Sequence, residues 1–186
     1  QQDVNANEEA AKYITDQVKD NAEALQGARD IMAEWIAENE TARNTVRKIF
    51  TESAIFSSRV LTTKKDEEDA QKYRDYFAYK EPLANCPSHR IMAIRRGEKE
   101  GFLIMDINIE KESSIDELKR KFITVHNEAS QQVGLAIEDS FSRLLKPSIE
   151  TEFRMLSKTK ADEEAIKVFA ENLRQLLLAS PLGQKR

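Results

Sequence analysis

The chain has a single cysteine, Cys86, so no disulfide can form within it, and the count fits a reducing compartment. Five glycines, four prolines and 7% aromatic residues in 186 positions are too few for an all-β fold, which uses Gly and Pro at its many turns. No apolar run approaches the ~20 residues that cross a membrane as a helix. The opening Gln1-Gln2-Asp3-Val4 has neither a basic nor an apolar segment, so no secretory leader is expected. The strings G-x-x-x-x-G-K-[S/T], G-x-G-x-x-G and G-x-S-x-G do not occur, which removes the familiar phosphate-cradling loops and the nucleophile elbow. Cys86 and His89 stand at C-x-x-H spacing, but a structural zinc site needs four ligands, and only His126 remains as a further histidine. Paired carboxylates such as Glu67-Glu68 and Glu163-Glu164 lie at expected helix starts, where the helix dipole accounts for them. No catalytic residue, no metal and no cofactor is expected.

Charge and helical periodicity are abundant. Charged residues make up 33% and the net charge is −4. The distribution is uneven, with three basic and ten acidic residues over 1–41, and 26 basic and 23 acidic over 42–186. An acidic segment thus precedes a weakly basic body, and neither balance suits a surface that grips nucleic acid all over.

Residues 20–38 place Leu25, Ala28, Met32, Trp35 and Ile36 on one helical stripe, with Asp20 and Glu23 suited to its start. A second helix over 41–54, with Thr41 as its cap, aligns Ala42, Val46, Ile49 and Phe50. Residues 55–62 lose that period and read as extended. Thr63 opens a helix with an acidic first turn that buries Ala70, Tyr73 and Phe77, and Pro82 and Pro87 bracket a loop. The apolar runs 90–96 and 101–109, joined through Gly97 and Gly101, read as a β-hairpin. Ser114 and Glu117 match a capping box for a helix near 115–123. Val133, Ile137, Phe141 and Leu144 form the next stripe. Pro147 breaks it and suits a new first turn, with Ile149, Phe153 and Leu156 following. Thr159 caps the last helix, whose stripe is Ile166, Phe169, Ala170, Leu173, Leu176 and Leu177, before a linker-like tail ending on Lys185-Arg186.

The fold class is therefore mainly α: an irregular helical bundle with a small antiparallel β-hairpin near residues 90–109. It reads as one helical segment, 1–186, with N-terminal helices over 1–62, a helix, loop and hairpin over 63–110, and C-terminal helices over 111–186. Arg95, Arg96 and Lys99 crowd the expected hairpin turn, where basic side chains can reach phosphates; Glu98 and Glu100 between them equally suit a mixed, solvated turn.

Seven strings are more specific than their physics: GARDI at 27–31, SRV at 58–60, KYRDYF at 72–77, EPL at 81–83, PSHR at 87–90, RRGEKEGFL at 95–103 and EEAIKVFAENLRQLLLASPLG at 163–183. In this order they resemble the bacterial Tex family of transcription accessory proteins, from about residue 10 to the end. The resemblance implies a long, mostly helical, cytoplasmic, nucleic-acid-binding protein, with helix-turn-helix, resolvase-like, helix-hairpin-helix and OB-fold parts outside this chain. It implies a non-catalytic central scaffold that positions flanking nucleic-acid-binding domains, and carries no catalytic position onto this sequence. The implied partners are RNA or DNA, mainly through domains outside the chain, the transcription machinery and intramolecular neighbouring domains, with no membrane. The resemblance is dense at PSHR, where turn-shaping accounts for Pro87 but not for His89 and Arg90. These two join Arg95, Arg96 and Lys99 as candidate nucleic-acid contacts. The alternative function is that this segment itself touches RNA or DNA phosphates through the basic hairpin turn.

Overall fold

The computed structural model describes residues 6–14, 20–125 and 127–178; His126 and the expected tail from 179 onward lie outside them. In chain order the elements are α1 (Ala6–Ala10), α2 (Asn21–Glu38), α3 (Glu40–Ser53), β1 (Ile55–Val60) and β2 (Ala78–Pro82). They continue with α4 (Ser88–Lys99), β3 (Leu103–Asn108), α5 (Lys111–Phe122), α6 (Glu128–Asp139) and α7 (Lys146–Leu178). The chain divides into two compact units, Gln1–Ala54 with Asn108–Glu152, and Ile55–Ile107 with Phe153–Arg186.

The first unit is helical. Asp20 caps α2 by accepting from the Glu23 N–H at 2.8 Å, as its position suggests. The cap of α3 is Asn39 rather than Thr41; its side chain accepts from Ala42 N–H at 3.1 Å, so one residue both ends α2 and starts α3. Ala33 and Ile36 of α2 and Ala42, Val46 and Phe50 of α3 are buried, as are Ile137, Phe141, Leu145 and Ile149 further along. α5 starts earlier than the Ser114 box implied. Glu110 caps it, accepting from the Glu112 and Ser113 N–H groups at 3.1 and 2.6 Å, while Ser114 is buried.

Pro147 does not interrupt the helical path. A wide π-turn over Ser140–Leu145 links α6 to α7, and the Lys146 N–H bonds back to the Phe141 carbonyl. Proline has no N–H, and its ring crowds the carbonyl four residues back; a widened turn just before it relieves both problems. Thr159 is likewise no cap. It lies inside the 33-residue α7, with its hydroxyl donating to the Met155 carbonyl at 3.2 Å.

The second unit holds a three-stranded sheet in the order β2-β1-β3, with α4 and the later part of α7. β1 is the stretch whose helical period failed. It pairs antiparallel with β2, Ile55 opposite Pro82 and Arg59 opposite Ala78. Leu103, Met105 and Ile107 alternate inward on β3. Ala70 and Tyr73 are buried as expected, but on a 3-10 helix, Glu68–Tyr76, rather than on an α-helix from Thr63.

The hairpin expected near 90–109 is not there. Only its second arm is a strand; residues 90–96 belong to α4. Ile91, Ile94 and Gly97 recur every three residues and are all buried, a helical face within a run short enough to read either way. A Cβ on Gly97 would lie 2.7 Å from Leu103 Cδ1 and 3.1 Å from Tyr73 Cδ1, so glycine here permits close packing of helix on strand. Gly101, at φ +78°, ends the helix. The Gly101 N–H donates to Glu98 O at 3.0 Å and the Phe102 N–H to Gly97 O at 2.9 Å, the two bonds of a left-handed helix cap. The two glycines serve a helix terminus instead of a hairpin turn.

Candidate nucleic-acid interface

Because α4 is a helix, its side chains sort by a period near 3.6 rather than 2. The five candidate residues therefore separate into two groups. His89, Arg96 and Lys99, with Met92 between them, follow at steps of three, four and three, and all four are exposed. They form one solvent-facing row. Arg90 and Arg95 are turned against their own unit.

Arg90 has a structural partner set. Its guanidinium donates to Glu81 at 3.1 Å and to the Tyr79 hydroxyl at 3.3 Å, and lies 5.8 Å from the centre of the Tyr79 ring. The Tyr79 hydroxyl also donates to Glu81 and lies 3.6 Å from Cys86 Sγ. Burial first, then the bond to Glu81, pushes the Tyr79 hydroxyl up from its ordinary value. The Tyr79 and Arg90 bonds hold the Glu81 carboxyl below its usual range. Burial raises the Cys86 thiol, which disfavours the reactive thiolate. This cluster joins EPL to PSHR and accounts for Arg90 without a ligand. Among the described residues, no group of three or more His, Cys, Asp or Glu side chains is placed to hold a metal ion.

Arg95 donates to the Arg154 carbonyl at 3.1 Å, while Arg154 reaches Glu98 at 3.3 Å and the Met105 carbonyl. Arg96 remains at the surface, 3.5 Å from Glu100 one turn along.

The structure adds Lys72, for which the sequence offered no signal because its neighbours are distant in the chain. Lys72 Nζ sits 2.7 Å from Glu100 and 5.6 Å from the Phe102 ring centre, and Lys64 Nζ lies 5.2 Å over the same ring. Lys72 first, then Tyr73 and Arg96, lower the Glu100 carboxyl. The site thus gathers Lys64, Lys72, Arg96 and Lys99, with the Glu100 carboxylate against Lys72 and Arg96 and Asp69 also acting on Lys72. Such a surface can meet a phosphate backbone by charge, and offers no base-reading geometry of its own.

At the other end of α4, His89 lines a groove with Pro87, Met92, Glu164, Val168 and Phe169, and Ser88 donates to Glu164. PSHR therefore meets the α7 string, as KYRDYF meets RRGEKEGFL through Tyr73 and Phe102, whose ring centres are 6.0 Å apart.

A family model described as Tex central region-like matches residues 1–169. Protein tex of Bordetella pertussis is 32% identical over 192 residues, covering 95% of this chain and 24% of that protein. Transcriptional accessory protein Tex of Neisseria gonorrhoeae is 32% identical over 190 residues, covering 98% and 24%. S1 RNA-binding domain-containing protein 1 of Homo sapiens is 31% identical over 168 residues, covering 84% and 17%. The chain spans about a quarter of the length of these bacterial relatives. With a Tex central region-like family model matching residues 1–169 and relatives about one-third identical over nearly the whole chain, the chain belongs to the Tex family and corresponds to its central region.

Proposed function

We propose that this chain is a non-catalytic helical support within a longer transcription accessory protein, positioning flanking parts that bind nucleic acid. The observation that carries the reading is the last part of α7. Ile166, Phe169, Leu173 and Leu176 follow one another at steps of three, four and three, and are 44% to 74% exposed. Rows of large apolar side chains at helical spacing normally meet a partner surface. The names of the Neisseria and human relatives, a transcriptional accessory protein and an S1 RNA-binding protein, support a nucleic-acid setting for the whole.

Hydrogen exchange distinguishes the outcomes. In a full-length Tex protein, amides over 163–178 are expected to be protected, and in this chain alone they exchange fast. Equal, fast exchange in both would remove the support role. Phe169→Glu with Leu173→Glu should weaken nucleic-acid binding by the full-length protein while leaving the fold of this chain intact. A nuclease assay of this chain with and without Mg²⁺ checks the non-catalytic part; turnover that depends on residues of this chain would overturn it.

The exposed row on α4 favours a second reading, direct contact with RNA or DNA phosphates. Binding of labelled single- and double-stranded RNA and DNA, titrated at two salt concentrations, tests it. Arg96→Glu with Lys99→Glu should weaken binding and flatten its salt dependence. Absence of binding at low salt removes this reading and leaves the support role untouched.

A further inference from the structure

In the helical unit, α1, α2 and α6 enclose an open groove of about 540 Å³. Its walls are small and apolar: Ala10, Ala24, Gly27 and Ala28, with Met32 and Val133 at the base. A Cβ placed on Gly27 meets nothing within 4 Å, so this wall is open to an incoming side chain. On α2, Ala24, Ala28 and Ile31 of the lining are followed by Trp35 beyond it, at steps of four, three and four. Ile31 and Trp35 are exposed, Trp35 at 69%. That row is about 16 Å long, the length of three helical turns.

Its charge is predominantly acidic. The charged residues lining the groove are Glu9 and Glu23. Asp30, Glu34 and Glu38 are exposed along α2, and the whole unit carries 20 acidic against 12 basic residues. Of the nearby cations, Lys12 is paired with Glu9 at 2.6 Å, Arg29 bonds Gln132 at 2.6 Å, and Arg143, paired with Asp139 at 2.8 Å, also feels Asp30 and Glu34. Nucleic acid and acidic lipid surfaces are repelled by such a rim. A small polar ligand would find few convergent polar groups.

We propose that this groove docks a basic amphipathic helix of a separate protein, its apolar side chains entering beside Gly27 and packing on Ile31 and Trp35, and its Lys or Arg residues facing the carboxylate rim. Small residues let the two helices approach closely, an exposed Trp is a frequent binding anchor, and the rim charge selects the partner's sign.

The chain has one tryptophan, so its emission reports on Trp35 directly. A synthetic Lys/Leu amphipathic peptide roughly 18 residues long, enough to hold helix, is titrated into the 186-residue chain beside a matched Glu/Leu peptide. The expected result is a saturable blue shift of Trp35 emission with at least about tenfold preference for the basic peptide. Glu23→Lys with Glu34→Lys narrows or reverses that preference. Gly27→Leu fills the groove; circular dichroism and thermal melting verify its fold, and affinity for the basic peptide falls by about tenfold or more. Equal affinity for both peptides, absence of an emission shift, or full binding by the folded Gly27→Leu variant each overturns the proposal. So does a concentration-dependent dimer of this chain, seen by sedimentation and lost in Gly27→Leu, because the occupant would then be a second copy.

Discussion

In the unit formed by Gln1–Ala54 and Asn108–Glu152, helices bury Phe50, Ile137 and Phe141, and 20 acidic residues outnumber 12 basic ones. In the unit formed by Ile55–Ile107 and Phe153–Arg186, a small sheet buries Phe56, Leu103 and Met105, and 17 basic residues outnumber 13 acidic ones. A net charge of −4 conceals this opposition. Each unit also has a glycine within a helix, for opposite reasons. Gly27 borders open space in α2, while Gly97 is pressed against Leu103 and Tyr73. The contrast separates an acidic unit from a weakly basic one, and a tolerant helix from a tightly fitted one.

The largest effects should come from the two cores. Phe50→Ala and Phe56→Ala, both fully buried, are each expected to cost about 3–5 kcal/mol in urea unfolding. If the units unfold separately, each substitution shifts a different transition. A single transition moved equally by both would break the comparison and make the chain one cooperative body.

The glycines give the next effects, with opposite signs. Gly97→Ala forces a methyl group onto Leu103 and should destabilise by about 1–3 kcal/mol. Gly27→Ala should stabilise by about 0.5–1 kcal/mol, because alanine loses less backbone entropy in a helix and meets nothing there. Equal signs in thermal melts would refute the packing difference.

The smallest effect is a pH dependence in the helical unit. Interactions with Glu112 and Ser113 hold the Glu110 carboxyl down to about 2, from a normal value of 4.5. A carboxyl depressed on folding stabilises at neutral pH, and that contribution fades as pH falls from about 4.5 toward 2. The loss of stability over this range should be shallower in Glu110→Gln. Parallel melting-temperature profiles for both proteins would show that this cap does not contribute.

Local pattern revealed much of the helical unit. Asp20 with Glu23, and Ala42 with Val46 and Phe50, recur at spacings that require no knowledge of a partner. Failure of that period also revealed β1. The stretch 90–103 misled because Ile91 and Ile94 fit a helix face as well as a short apolar strand, and a Gly pair suits a helix end as well as a hairpin. In the candidate interface, Arg96 and Lys99 were recognisable as a basic cluster. That Arg90 belongs to Glu81 and Tyr79, and Arg95 to the Arg154 carbonyl, was not, because those partners come from other elements. Nothing in the local sequence places Lys72 beside Glu100.

Periodicity and composition by themselves determined that this chain is mostly helical, lacks the motifs of familiar active sites, and carries apolar rows at Trp35 and over 166–177. The ordered strings pointed to the Tex family. Only the tertiary structure decided that Trp35 stands exposed while Ile36 beside it is buried, that the 166–177 row remains exposed in the described chain, that α4 replaces a hairpin arm, and which arginines face solvent. The division has a physical cause. Helical period and capping are set within a few residues, whereas burial and charge pairing depend on groups brought together from far along the chain.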